Sequence, residues 1–213
     1  ASIMGHRHAH RRAVGVYWME NVISMPRPRL RRRGLLYELI ETIVLIAAIY
    51  SLVDLASVRF YVDGPSMEPS FETGQRVIVS RVNYMLSSPQ RGEIIVFESP
   101  SRPGIEPPLI KRVIGLPGET VEVRDSRVYI NGRELYEPYI NEATWSSRGM
   151  TQPRTLGPDE YFVMGDNRNH SNDSRAFGPI ELQHVIGEAL VRYWPPQVWG
   201  LLNKYRFPED PFE

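Results

Sequence analysis

Leu109-Ile110-Lys111-Arg112-Val113-Ile114-Gly115 is an apolar run broken by two adjacent bases, and the segments after it identify it as one strand of many. Thr120–Arg124 (TVEVR) and Arg127–Ile130 (RVYI) alternate β-branched with polar residues on either side of Asp125-Ser126. Alternation at period two between turn residues is the pattern of a strand with one buried face. Asn131-Gly132 then supplies the strongest short-range hairpin signal. On both sides of this core, residues 76–82 (RVIVSRV), 93–98 (EIIVFE), 161–165 (YFVMG) and 189–194 (ALVRYW) are further short runs rich in β-branched and aromatic side chains. Gly, Pro, Asn and Asp separate them. Within this half only residues 179–186 offer a short helix. The expected fold is mainly β, coiled antiparallel sheets joined by short loops. Residues 136–159 are polar, with Gly and Pro, and read as a loop excursion.

The chain has 213 residues, room for one sizeable domain plus accessory segments, and 42% are apolar, enough for a packed core. It has no cysteine, which excludes disulfides, a thiol nucleophile and a zinc–thiolate site. Formal net charge is zero but unevenly spread. Residues 1–33 carry eight arginines against Glu20; the remainder holds 17 basic and 24 acidic residues, a net charge of −7. A basic head on an acidic body argues against a nucleic-acid partner, whose positive counterpart would lie on the folded domain. His6, His8 and His10 alternate as metal ligands could, but they sit in a leader (residues 1–33) that reads as disordered, and no metal site is expected.

Residues 42–53 (TIVLIAAIYSLV) carry no charge, and the apolar stretch extends further if Asp54 and Arg59 are tolerated. A spanning helix needs about 20 residues, so length alone leaves a buried core helix and a membrane span both open. The cluster Arg27, Arg29, Arg31, Arg32 and Arg33 just ahead tips the reading to a span over residues 34–59 with its N-terminus inside. The expected order is leader, anchor, β domain over 60–195, and a tail over 196–213. Trp199, Leu201, Leu202, Tyr205 and Phe207 would let that tail pack on the body or touch lipid.

Three segments carry chemistry. Of 25 basic residues only Lys111 and Lys204 are lysines. Arginine stays protonated in a protein, whereas a lysine amine in apolar surroundings shifts its pKa and serves as a base. Ser66 lies in Asp63-Gly64-Pro65-Ser66-Met67-Glu68-Pro69, where Gly and two prolines fix the backbone around one hydroxyl. A histidine triad fits poorly: Gly-x-Ser-x-Gly is absent, and His170 and His184 are the only histidines in the β half. The third segment, residues 165–175 (GDNRNHSNDSR), has no aliphatic side chain yet comes directly after a strand. Its Asp, Asn, Arg and Ser side chains could close a hydrogen-bond network, with Asp173 and Arg175 as a charge pair.

Together these segments resemble the type I signal peptidases, over about residues 35–195. Pro65-Ser66-Met67-Glu68-Pro69 looks like that family's nucleophile box, residues 111–119 like its lysine box, and residues 165–175 like its last box. The resemblance implies a membrane-anchored serine endopeptidase with a signal-peptidase-like β fold and a Ser-Lys dyad. Ser66 would be the nucleophile and Lys111 the general base. Ser171 would orient the lysine, and Gly165, Asp166, Asn167, Arg168, Asp173 and Arg175 would shape that wall. Some members place a serine where Gly64 stands here, so the oxyanion would rest on backbone N–H groups, that of Ser66 included. Phe60, Val62, Met67, Leu109 and Ile110 match positions lining shallow pockets for small, Ala-X-Ala-like residues. No metal or organic cofactor is implied. Expected partners are the signal peptides of preproteins and a lipid bilayer, at a bacterial plasma membrane with the catalytic domain on its outer face. Two alternatives remain: self-cleaving repressor proteases, which would need a DNA-binding domain in place of residues 1–59, and a catalytically inactive, membrane-tethered binding module.

Overall fold

The computed structural model describes residues 34–142, 144–147, 152–202 and 205. The basic leader, Lys204 and Phe207 lie outside these residues. Helix α1 (Leu35–Ala56) has 22 residues, a mean hydropathy of 2.1 in its most apolar window, and no buried side chain. At ~1.5 Å per residue it is long enough to cross a hydrocarbon core of about 30 Å. Its aliphatic hydroxyls are satisfied from within: Thr42 donates to the Glu38 carbonyl and Ser51 to the Ala47 carbonyl, each at 2.8 Å. Internal satisfaction is what a lipid environment requires.

Among the described residues the β body holds twelve strands: β1 (Ser57–Tyr61), β2 (Arg76–Ser80), β3 (Ile94–Phe97), β4 (Leu109–Gly115), β5 (Thr120–Arg124), β6 (Arg127–Ile130), β7 (Arg133–Glu134), β8 (Arg154–Thr155), β9 (Glu160–Met164), β10 (Ile180–Glu181), β11 (Val185–Trp194) and β12 (Gly200–Leu201). Short helices α2 (Asn83–Leu86) and α3 (Ser174–Phe177) punctuate them. The larger sheet runs β1-β2-β11-β3-β4-β9-β10, with β12 also pairing β11; the smaller runs β7-β6-β5-β8. Every pairing is antiparallel. β4 ends in the larger sheet and β5 opens the smaller one, so the turn at residues 116–119 joins them. Asp125 and Ser126 adopt φ of 50° and 59°, the left-handed pair a tight β5–β6 hairpin requires.

Two expectations from the sequence shift. Composition puts the span over 34–59, but the helix stops at Ala56 and β1 starts at Ser57. Ser57 through Tyr61 find β2 as a partner, from Ser57 opposite Ser80 to Tyr61 opposite Arg76, and that ladder outcompetes further helix. Residues 179–186 hold a single 3₁₀ turn and no α-helix. Ile180–Glu181 pair with Tyr161 and Glu160, Leu182–His184 make one tight turn, and Val185 already pairs Phe97. Eight residues are too few to nucleate a helix unaided, and β-branched Ile180, Val185 and Ile186 gain more from the sheet. In the tail β12 pairs β11 and Leu202 packs against the core cluster of Val62, Phe71 and Val77, while Trp199 and Leu201 stay exposed.

Candidate active site

β4 is buried along almost its whole length, and that burial sets the chemistry of its two bases. Alternation along a strand sends Lys111 and Arg112 to opposite faces. On one face the Lys111 Nζ donates to Ser66 Oγ at 2.8 Å and to the Ile110 carbonyl at 2.8 Å. The residue is 3% exposed. Burial lowers its pKa from 10.5 to about 8, against the opposing pull of Asp173 and Asp166. A neutral amine at that position takes the hydroxyl proton rather than giving one.

Ser66 is half-buried at the start of a turn, with Met67 beneath it in the core. Its carbonyl accepts from the Asn167 N–H at 3.1 Å, which ties the Ser66 turn to residues 165–175. Among the described residues its own N–H meets no protein acceptor. Gly64 has φ +85°, a left-handed conformation suited to glycine, and nothing crowds its missing side chain. Gly165 is needed for a different reason. A Cβ there would collide with Ser171 Oγ and with the Ser66 carbonyl oxygen.

Residues 165–175 form the network their composition implies. Asp173 accepts from Arg175 Nε and Nη2 at 2.8 Å each, from the Gly165 N–H at 3.1 Å, and from the Arg175 N–H at 3.2 Å. Burial would raise its pKa, but these bonds hold it below the usual carboxylate value. The family resemblance has Ser171 bonding the lysine. The amine's hydrogen bonds go to Ser66 and Ile110, and the fully buried Ser171 hydroxyl contributes to the lowered pKa of Asp173. Asp166 pairs with Arg112 at 2.6 and 2.8 Å and accepts from Ser70 Oγ at 2.5 Å. Arg168 pairs with Glu137 at 2.6 and 2.8 Å.

The expected pocket residues divide. Val62, Met67 and Ile110 are core side chains, 1%, 0% and 4% exposed, packed with Phe71, Val77 and Val96. Phe60 and Leu109 are half-buried and keep surface to offer. The backbone beside them is open. β4 pairs β3 from Leu109 onward, but its bonding to β9 begins only at Arg112. Among the described residues the edge at Leu109–Lys111 is therefore unpaired on the β9 side, and β1 likewise pairs only β2.

Arg112, Ser70 and Glu137 belong to the surroundings of the site; Ser70 and Glu137 lie outside the three sequence motifs, and Arg112 lies in the lysine box without a role assigned there. The alternation of β4 gives the face Arg112 takes; nothing local gives its partner. Among the described residues no cluster of three or more His, Asp or Glu side chains could hold a metal ion.

A serine hydroxyl bonded to a buried, pKa-lowered lysine amine is the arrangement of serine hydrolases that work without histidine. Residues 36–194 match the sequence model of the family described as "Signal peptidase, peptidase S26", and the chain belongs to that family. It is 42% identical over 148 residues to a signal peptidase I of Leptolyngbya laminosa, covering 67% of this chain and 71% of that protein. It is 42% identical over 153 residues to a probable signal peptidase I-1 of Synechocystis sp., covering 69% and 76%. With a signal peptidase I of Mycobacterium tuberculosis the identity is 31% over 230 residues, covering 83% and 78%. Its exposed, apolar N-terminal helix is long and apolar enough to serve as a membrane anchor.

Proposed function

We propose that this chain removes signal peptides from preproteins by acyl transfer, with Ser66 as nucleophile and Lys111 as general base. The carrying observation is the 2.8 Å contact between Lys111 Nζ and Ser66 Oγ, made by an amine that burial has moved toward neutrality. Ser66 Oγ attacks the scissile carbonyl as its proton passes to Nζ. The same amine then protonates the leaving nitrogen and later activates water to release the acyl group. The Ser66 N–H is available to the oxyanion; Gly64 adds no side-chain donor. Neither a metal nor an organic cofactor takes part.

The open edge at Leu109–Lys111 suits an extended peptide that adds as a strand. Phe60 and Leu109 would line its shallow pockets, over a floor made by Val62, Met67 and Ile110. A tightly packed floor admits small residues such as Ala and rejects large ones. The arginine cluster ahead of α1 supports an N-terminus in the cytoplasm and a catalytic body on the outer face of a bacterial plasma membrane. Substrate and enzyme would then share one bilayer, which raises their effective concentration.

The test is full-length chain in detergent with an exported precursor, beside Ser66→Ala. Wild type should shorten the precursor after a small residue, and Ser66→Ala should leave it intact. Cleavage that survives in Ser66→Ala would refute the assignment.

A further inference from the structure

Residues 136–147 carry side chains that reach the catalytic loop and that the acyl-transfer reading does not use. Glu137 holds the Arg168 guanidinium by two bonds, 2.6 and 2.8 Å. The ion pair is sealed, at 0% exposure for the Arg168 side chain and 5% for Glu137. Tyr139 Oη donates to the same carboxylate at 2.7 Å, and the Tyr139 ring lies under Arg112, 4.2 Å from its centroid. The Trp145 ring stands 5.0 Å from the Arg168 guanidinium carbon and 5.3 Å from that of Arg175. Next to it, the Ser146 carbonyl accepts from Arg175 Nη1 at 2.9 Å. Trp145 is itself anchored to the smaller sheet: its N–H donates to Ser126 Oγ at 2.7 Å, and that hydroxyl donates back to its carbonyl at 2.8 Å. Ser126 lies in the β5–β6 hairpin turn.

The clamped arginines act locally. Arg168 Nε donates to the Gly165 carbonyl at 3.0 Å, closing the turn whose Asn167 N–H holds the Ser66 carbonyl. Arg175 Nη2 donates to the Arg168 carbonyl at 2.8 Å, while Nε and Nη2 also grip Asp173. The loop is therefore pinned twice, once behind the nucleophile and once behind the carboxylate that biases Lys111.

We propose that Glu137 is a positioning residue for the reaction. Through Arg168, and backed by Tyr139 and Trp145, it fixes the Gly165–Asn167 turn and so the placement of Ser66 against Lys111. This role rests on the Ser66–Lys111 reading. It gives the smaller sheet a purpose in catalysis: its hairpin is the far anchor of the brace. A misplacement of reacting atoms by about 1 Å lowers rates by on the order of 100-fold, and a loosened turn acts on the chemical step more than on substrate binding.

The test is steady-state kinetics on a small-residue peptide substrate, using full-length chain in detergent, with the folded fraction measured by thermal unfolding. Glu137→Gln keeps the shape and removes the charge. Its kcat per folded molecule should fall by about 10- to 100-fold with KM within about threefold. Tyr139→Phe, which leaves the ion pair and removes one bond to it, should lower kcat by a smaller factor and serves if Glu137→Gln does not fold. A merely structural pair would lower the unfolding temperature and leave kcat per folded molecule unchanged, and that result overturns the proposal. Ser66→Ala in the same assay separates the two readings. If it is dead while Glu137→Gln and Tyr139→Phe turn over like wild type, only the brace fails; if it is active, the dyad fails first.

Discussion

Lys111 and Arg112 are neighbours on one strand, both buried, and the structure treats their charges in opposite ways. Arg112 meets a carboxylate head-on, with two bonds to Asp166 and a third to the Gly92 carbonyl. Burial lowers its pKa, Asp166 outweighs burial, and the guanidinium stays charged. Lys111 is given a hydroxyl and a carbonyl but no direct carboxylate, so burial prevails. The same holds around the loop, where Arg168 and Arg175 each have a dedicated acid. Charge is kept where an ion pair holds geometry and weakened on the amine that faces a serine hydroxyl.

Lys111→Arg strikes this contrast hardest. It keeps the positive charge and removes any accessible neutral form. Turnover should fall by at least about 10⁴-fold, judged by precursor cleavage, since losing one member of a catalytic unit removes most of its effect. Wild-type-like cleavage would end the claim that the two faces differ in proton chemistry. In the unaltered chain the neutral fraction of Lys111 grows as pH rises through about 8, so kcat/KM should rise across that value.

Asp166→Asn attacks the opposite face. It leaves a buried guanidinium without its counter-charge, a change that costs about 3–5 kcal/mol in unfolding free energy. The same substitution removes one of the two charges that raise the Lys111 pKa. In the folded fraction the rise in activity should therefore begin at lower pH. A stability within about 1 kcal/mol of wild type would show that the pair is not structural.

Lys111→Met probes the lysine face through stability instead of rate. Below pH 8 the native state must carry a buried ammonium that the unfolded chain keeps in water. A displacement from 10.5 to about 8 corresponds to about 3 kcal/mol of destabilisation at neutral pH, at about 1.36 kcal/mol per unit. The unfolded chain binds the extra proton between the two pKa values, so wild-type stability recovers as pH rises from 8 to above 10.5. Lys111→Met should therefore be the more stable protein at pH 7, by up to that amount, and lose its advantage at high pH. Denaturant unfolding of both at several pH values decides it; an advantage independent of pH would point to packing instead of charge.

How much of this contrast is legible in the sequence depends on how far apart the partners lie. β-Branched runs between turn residues place β4, β5 and β6 within their observed bounds, and strand geometry sends Lys111 and Arg112 to opposite faces. The pair Asp173–Arg175 is two residues apart and readable from the segment itself. Arg112 meets Asp166 across 54 residues and Arg168 meets Glu137 across 31, and no local pattern encodes such meetings. Glu137 sits in a stretch that reads as solvated loop, because burial of an acid depends on a distant base. β1 is hidden for a different reason: the apolar run of α1 enters it without a turn residue, so composition cannot mark where helix gives way to sheet. The two-residue strands β7, β8, β10 and β12 exist only through their pairing and have no sequence signature of their own.

A finer perturbation asks whether the two faces are separable at all. Among the described residues the Ser70 hydroxyl touches only the Arg112 side: it donates to Asp166 Oδ2 at 2.5 Å and receives from Arg112 Nη2 at 3.2 Å. Ser70→Ala removes both bonds yet leaves the Asp166 charge in place. A hydrogen bond to a charged group contributes about 1.5–3 kcal/mol, and the two remaining Arg112–Asp166 bonds retain part of that, so a loss of about 1 kcal/mol is expected. The coupling from Asp166 to Lys111 is through charge, and the charge is unaltered. The pH at which activity rises should therefore stay put, unlike in Asp166→Asn. A shift in Ser70→Ala as large as in Asp166→Asn would mean that the carboxylate's position, not its charge, sets the proton affinity of Lys111, and the faces of β4 would then have to be treated as one site.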